Sequence, residues 1–219
     1  MIYTIGNSHA HFFTNSHPGE LGWGLQQNEY FKSYSANFHN PNPQYRHVLA
    51  HKFYERYFPY IIDAINSINF TKNDYIMLIV GEIDCRWHFP KKEKTQNRLS
   101  KDIIKECIDE YFFPSILHLK ENEYNVIGWG GHASTTSGHS DDPDNPIYGD
   151  CLTRNRISLE WNDYLHEKCK NNNIKFVSII KDLIDDNGLT KMEYFMDNYH
   201  LNQKALPMII NQLKQKEII

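Results

Sequence analysis

The 219-residue chain lacks the long apolar runs, paired cysteines and basic excess that mark several classes of protein. Its best apolar run, residues 75–80, is far short of the roughly 20 residues that cross a membrane, and no secretion signal opens the chain. The four cysteines include no C-x-x-C pair, which favours free thiols in a reducing cytoplasm, although an excised mature form of a secreted protein would look similar. The net charge of −4 argues against a nucleic-acid partner. We therefore expect a cytoplasmic protein without a membrane span.

The composition is that of a globular protein, since 40% of the residues are hydrophobic and 23% are charged. A chain of this length buries enough surface to fold without disulfides. It contains no internal repeat, low-complexity tract or linker, so we interpret residues 1–219 as a single domain. The oligomeric state does not follow from the sequence.

Short apolar runs rich in Ile, Val, Tyr and Phe predict buried parallel strands, because such strands are apolar on both faces and do not alternate. Between them, apolar residues at spacings of three and four predict helices. The predicted strands are residues 2–5, 75–80, 125–129 and 175–180, with a weaker candidate at 33–38, and the predicted helices are 46–68, 102–120, 153–170 and 202–216. This alternation predicts an α/β fold with a mostly parallel sheet that helices cover on both faces.

Polar and glycine-bearing sequence follows the predicted strands, at the edge where parallel α/β sheets hold their sites. Gly6-Asn7-Ser8-His9 follows the first strand, Gly81-Glu82-Ile83-Asp84-Cys85-Arg86-Trp87-His88 the central one, and Gly130-Gly131-His132 the next. Asp197 and His200 lie just before the last predicted helix. A polar stretch at 130–149 has the length of a functional loop or lid.

The Gly-Asn-Ser-His motif and the Asp-x-x-His motif, in this order and at these positions, resemble the SGNH or GDSL-like hydrolase superfamily. The run from Gly81 to His88 further resembles a bacterial subset linked to glycans. The resemblance implies a three-layer α/β/α sandwich of the flavodoxin-like type. It also implies that Ser8 is the nucleophile and that Asp197 and His200 complete a catalytic triad.

The chemistry of these residue types agrees with that implication. A serine hydroxyl becomes a useful nucleophile when a neutral imidazole takes its proton, as His200 could do for Ser8. Asp197 could accept the other ring N–H and hold the imidazole in the required tautomer. Ser8 could otherwise simply cap the helix that follows it.

The oxyanion site departs from the family pattern, because Ile83 stands where the family usually has an asparagine donor. The loss of such a donor typically costs about 3 kcal/mol of transition-state stabilisation. Arg86 or His88 could substitute for it. The other candidate donors are the Ser8 amide and the glycine amides of Gly22, Gly24 and Gly130.

Several remaining polar residues have both a structural and a functional interpretation. Glu82, Asp84 and Arg86 form either a structural ion-pair cluster or a substrate-binding group, and His9 is expected to line the pocket. The loop residues His132, His139, Asp141 and Asp142 are more typical of a solvated loop than of a metal site. We therefore expect no metal and no cofactor.

The sequence thus predicts a serine-dependent acyl-ester hydrolase that acts through an acyl-enzyme. The resemblance to glycan-linked proteins makes a carbohydrate O-acetyl ester the leading substrate. Two alternatives stay open: an acyltransferase that passes the acyl group to a glycan through the same triad, and a catalytically inactive glycan-binding protein.

Overall fold

One six-stranded sheet forms the centre of the computed structural model, which describes residues 1–15, 26–35, 48–66, 68–141 and 146–219. The strand order is β2-β3-β1-β4-β5-β6; β2 pairs antiparallel with β3, and the other pairs are parallel. The strands are β1 (Ile2–Gly6), β2 (Gln26–Gln27), β3 (Phe31–Ser35), β4 (Tyr75–Ile79), β5 (Asn125–Trp129) and β6 (Lys175–Val177).

Helices cover both faces of this sheet. In β4, Ile76 and Leu78 join one apolar cluster while Met77 and Ile79 join another on the opposite face, as the two-residue period of a strand requires. The helices are α1 (Phe53–Arg56), α2 (Phe58–Asn66), α3 (Phe89–Gln96), α4 (Ser100–Glu106), α5 (Phe113–Glu121), α6 (Cys151–Asn171) and α7 (Leu206–Gln215). The predicted α/β fold with a mostly parallel, doubly covered sheet is confirmed.

Proline accounts for two differences from the predicted helices. The helix expected at 46–68 is two helices, with Pro59 in the first turn of the second. The helix expected at 102–120 is interrupted by a π-helical turn, Cys107–Phe112, before Pro114 opens α5. Proline has no N–H to donate, so it is accommodated in the first turn of a helix.

Two strand boundaries differ as well, and one helix was not predicted. β6 ends at Val177 rather than at 180, and the strand expected at 33–38 is β3, which begins at Phe31, while residues 36–38 lie outside the described residues. The charged helix α3 has no apolar stripe in the sequence and was not predicted. Among the residues with described structure, no helix combines the length and apolarity that a membrane crossing needs.

The ends of β1 and β4 approach each other very closely at Gly6. A Cβ at this position would lie 2.0 Å from the Ile79 carbonyl oxygen, so only glycine fits. The Asn7 amide donates to the same carbonyl at 3.1 Å. This contact places the residues after β1 directly beside those after β4.

Candidate active site

Ser8 begins a 3₁₀ turn, Ser8–Thr14, at the carboxyl end of β1. Asn7 caps this turn, because its Oδ1 accepts the His9 amide at 3.1 Å. The Ser8 side chain is only partly buried and extends from the sheet edge. Its Oγ lies 2.9 Å from Nε2 of His200.

His200 lies in the loop before α7, which local hydrogen bonds hold in shape. The Met196 amide donates to the His200 carbonyl at 2.9 Å. The Nδ2 of Asn202 donates to the carbonyls of Glu193 and Phe195 at 2.9 and 3.0 Å. Gln203 ties the loop to the turn that carries Ser8, since its Nε2 donates to the Phe12 carbonyl at 2.7 Å.

Asp197 fixes the tautomer of His200. Its Oδ2 lies 2.7 Å from Nδ1 of His200, and a carboxylate can only accept, so Nδ1 carries the proton and Nε2 is free to accept from Ser8. Burial raises the pKa of Asp197. The hydrogen bonds from the His200 side chain and from the amides of His200 and Tyr199 outweigh burial and hold the pKa well below its usual value. Asp197 therefore stays ionised.

A second buried array lies against the His200 ring. The His9 ring centroid is 4.7 Å from that of His200. His9 Nε2 lies 3.0 Å from Glu82 Oε2, and His9 Nδ1 lies 3.0 Å from His132 Nε2. Burial acts to lower the pKa of both His9 and His132, because a charged ring loses its hydration, while the contacts with Glu82 act to raise it.

Arg86 connects this array to the loop before α7. Its Nε donates to Glu82 Oε1 at 2.8 Å, and its Nη1 donates to the Pro146 carbonyl at 2.8 Å. The guanidinium lies 4.4 Å from the ring centroid of Tyr199, in cation–π contact. Burial raises the pKa of Glu82, but the charge of Arg86 and the contact with His9 bring it well below its usual value. Glu82 is therefore an anion.

Asp84 and His88 do not join Glu82, Arg86 and His9. Asp84 Oδ2 accepts the Ala50 amide at 2.7 Å, so this buried carboxylate holds the segment before α1. His88 lies beside His51, with ring centroids 6.3 Å apart. The structure thus divides the predicted polar group. Glu82 and Arg86 lie with His9 beside His200, whereas Asp84 and His88 lie elsewhere.

The burial of Asp84 predicts a pH dependence of stability. Burial raises its pKa to about 7, although the amides of Ala50 and His51 act to lower it. The folded state therefore binds more protons than the unfolded state between pH about 4 and 7, and this group's contribution to stability falls as the pH rises through that window. We expect the stability difference between Asp84→Asn and wild type to move in favour of the variant from pH 5 to pH 8, as measured by urea unfolding.

The exposed Asp102 of α4 provides the control for this measurement. Asp102→Asn is expected to leave the pH dependence of wild-type stability unchanged. A stability difference for Asp84→Asn that is the same at both pH values would contradict the assignment.

The predicted oxyanion donors have different outcomes. The Gly130 amide donates to the Val177 carbonyl at 3.0 Å within the sheet edge, so it is already engaged. Gly22 and Gly24 lie outside the described residues. The Ile83 side chain is buried and has no polar atom that could donate. Asn7 Nδ2, which sequence reasoning did not consider, is a buried donor without a hydrogen-bond partner among the described residues.

The loop at 130–149 is organised by residues that carry no functional signal in the sequence. His132 was considered only as a loop or metal residue, yet it contacts His9 in the array. Arg154 of α6 is fully buried and donates to the carbonyls of Thr135 and Ser137 at 2.7 and 2.6 Å. His139, by contrast, is exposed and lies 3.0 Å from the exposed Asp141.

No protein-family model and no curated protein sequence matches the chain. Solved structures do match. A provisionally assigned acylhydrolase from Bacteroides fragilis has a TM-score of 0.56 at 16% identity, over 100% of this chain and 88% of that one. A GDSL-like lipase from Bacteroides thetaiotaomicron has a TM-score of 0.52 at 15% identity, over 98% and 86%. The chain has the fold of the GDSL-like hydrolases.

The OSK domain of Drosophila Oskar has this fold too. Its TM-score is 0.54 at 10% identity, over 97% of this chain and 86% of that one. At identities this low the likeness concerns the fold alone. A GDSL-like fold does not by itself assign an activity, so the activity has to be argued from the residues of the site.

Proposed function

We propose that the chain is a serine-dependent acyl-ester hydrolase with Ser8, His200 and Asp197 as its catalytic residues. The observation that carries this proposal is the continuous hydrogen-bonded line from Ser8 Oγ through the His200 ring to Asp197, with contacts of 2.9 and 2.7 Å. These distances lie within the range that proton transfer between nucleophile and base requires.

The reaction proceeds in two steps. Ser8 Oγ attacks the ester carbonyl carbon while His200 Nε2 takes the hydroxyl proton, and Asp197 stabilises the imidazolium that forms. The alcohol leaves with the proton from His200, which produces the acyl-enzyme. Water, deprotonated by His200, then attacks the acyl carbon, and Ser8 regains its proton as the acid departs.

The substrate we propose is an O-acetyl ester on a carbohydrate. Its support is the likeness of the run from Gly81 to His88 to that of glycan-linked proteins, part of which lies in the site as Glu82 and Arg86. The Ser8 amide is the oxyanion donor that we assign from the chain's own residues, and Gly22 and Gly24 stay predictions.

A fluorophosphonate probe, which reacts with activated serines, tests the proposed triad. We expect covalent labelling of Ser8, read by mass spectrometry of the labelled peptide, and loss of that labelling in His200→Gln, because the base is needed to activate the hydroxyl. His139→Gln, which changes an exposed histidine in another loop, serves as the control and should label like wild type.

The same experiment separates the alternatives. A folded wild-type protein that does not label would favour the inactive glycan-binding protein. Where labelling occurs, product analysis with p-nitrophenyl acetate and a sugar acceptor distinguishes the two enzymes: free acetate indicates the hydrolase and an acetylated sugar the transferase.

A further inference from the structure

Three buried contacts join Ala133, His132, His9 and Glu82 into one line. The Ala133 carbonyl lies 2.8 Å from His132 Nδ1, His132 Nε2 lies 3.0 Å from His9 Nδ1, and His9 Nε2 lies 3.0 Å from Glu82 Oε2. Both rings are at least 95% buried, because only 3% of His132 and 5% of His9 is exposed. Carbonyl and carboxylate oxygens only accept, so the two ends of the line supply no proton.

The three contacts in this line require more protons than two neutral rings provide. Each of the three contacts needs one proton, whereas a neutral imidazole carries one N–H and two carry two. With both rings neutral, one of the three contacts would lack a proton: depending on the tautomers, two bare acceptors would face each other between His9 Nε2 and Glu82, between His9 Nδ1 and His132 Nε2, or between His132 Nδ1 and the Ala133 carbonyl. Two buried lone pairs would then oppose each other in a region of low dielectric, which is strongly unfavourable.

Glu82 is not the source of the third proton. Arg86 Nε donates to its other oxygen at 2.8 Å, within a buried ion pair that favours the carboxylate form. Burial of the rings opposes charge on them, because a charged ring loses its hydration. The carboxylate in contact with His9 compensates the ring charge directly, whereas no arrangement of two neutral rings satisfies all three contacts.

We propose that Glu82, His9 and His132 form a positioning array that holds three protons, so that its two rings share one positive charge against the face of His200. The proton count is independent of the proposed function, and only the effect of the array on catalysis rests on it. Among the described residues, the charged groups around His200 are then Asp197 and Glu82 as anions and Arg86 and the ring pair as cations. These four charges sum to zero around a neutral base.

The array sets how readily His200 is protonated. Asp197 and Glu82 favour its charged form, while Arg86 and the ring pair oppose it. The nearest of the array's charges is on His9, whose ring is in direct contact with His200. Arg86 lies against the ring of Tyr199, the residue before His200. The array therefore places a positive charge against the face of His200, which opposes a second positive charge on that ring.

Nuclear magnetic resonance of ¹⁵N-histidine-labelled wild-type protein tests the proton count without reference to activity. At about pH 7.5 we expect three of the four ring nitrogens of His9 and His132 to be protonated, whereas an ordinary histidine is neutral there. Signals are assigned by comparison with His9→Gln and His132→Gln. Two ordinary neutral tautomers, each with one bare nitrogen, would overturn the proposal.

Glu82→Gln provides the second test. The new amide N–H can donate to His9 Nε2, so all three contacts are satisfied with two neutral rings. Because the positive charge nearest His200 is lost, we expect the acidic limb of kcat/KM to move up by about one pH unit. If the wild-type rings were neutral, the variant would lose only the negative charge of Glu82, and the limb would move down.

A downward shift of the limb, or none, therefore contradicts the proposal. Glu106→Gln removes a carboxylate of α4 that pairs with Arg98, and it should leave the acidic limb of kcat/KM in place. If Glu82→Gln does not fold, the resonance measurement on the wild-type protein still decides. If the wild-type protein does not hydrolyse esters, that measurement separates failure of the array from failure of the proposed function.

Discussion

Ser8→Ala is expected to lower kcat/KM for p-nitrophenyl acetate by about 10⁴-fold or more, with the fold intact. The variant removes the only atom that would form the covalent bond to the acyl group. His200 and Asp197 would still contact each other at 2.7 Å, but a base without its nucleophile leaves only the residual rate from binding and charge stabilisation. The measurement is steady-state hydrolysis, with circular dichroism and urea unfolding to show that the fold is unchanged.

Thr136→Ala is the matched control for this variant, because it removes an exposed hydroxyl from a different loop. Its activity should equal that of wild type. Hydrolysis by Ser8→Ala at more than about a tenth of the wild-type rate would show that another group performs the chemistry, since loss of a true nucleophile costs orders of magnitude.

Arg154→Met is expected to lower the free energy of unfolding by about 3 kcal/mol or more. The side chain is fully buried, and its described partners are neutral: the carbonyls of Gly149, Thr135 and Ser137 and the Ser134 hydroxyl. Methionine fills similar volume but donates nothing, so these buried acceptors lose their donors, at about 1–3 kcal/mol for each one left unsatisfied.

Arg156→Met, two residues further along α6, is the control. Arg156 is half-exposed, with 45% of its side chain accessible, and pairs with Glu93 and Glu160 at the surface. Exposed pairs of this kind contribute at most about 1 kcal/mol. Equal destabilisation by the two variants in urea unfolding would show that the buried guanidinium does not hold the loop.

The parallel strands were predictable because burial on both faces leaves a signature in the sequence, whereas the short antiparallel strand β2 was not predicted. Residues 75–80 read as an unbroken apolar run, and β4 lies in the middle of the sheet there. Ser8, Asp197 and His200 were predicted from motifs that resemble the SGNH superfamily and from their places beyond predicted strands, and the structure brings their side chains into contact. Helix boundaries were less predictable, since the π-helical turn before Pro114 depends on the packing around it.

The run from Gly81 to His88 is divided because the chain is already helical from Glu82 onward. Glu82 and Arg86 are four residues apart and share a face, as their ion pair shows. Asp84 lies two residues from each, about 200° around a helix, and therefore faces the other way. A prediction of a helix here would have separated Asp84 from Glu82 and Arg86, whereas the sequence analysis treated the three residues as one group.

The array and Arg154 had no comparable signal. His9 and Glu82 are separated by 73 residues and His9 and His132 by 123, so no local spacing links them. In the sequence, Arg154 cannot be distinguished from any other helical arginine. Its burial depends on its partners in the folded chain, which are Ser134, Thr135, Ser137 and Gly149. Contacts of this kind depend on tertiary structure, because each residue type is common and only the fold brings these particular side chains together.

The position of β1 has a consequence for the order in which the protein is made. β1 precedes both of its partners along the chain, yet it pairs with β3 and β4 in the interior of the sheet, so it cannot pair until they have been synthesised. The contact between Ser8 and His200 spans 192 residues of the chain. Ser8 is therefore synthesised well before the base that we propose for it, so the proposed site is incomplete until the loop before α7 has folded.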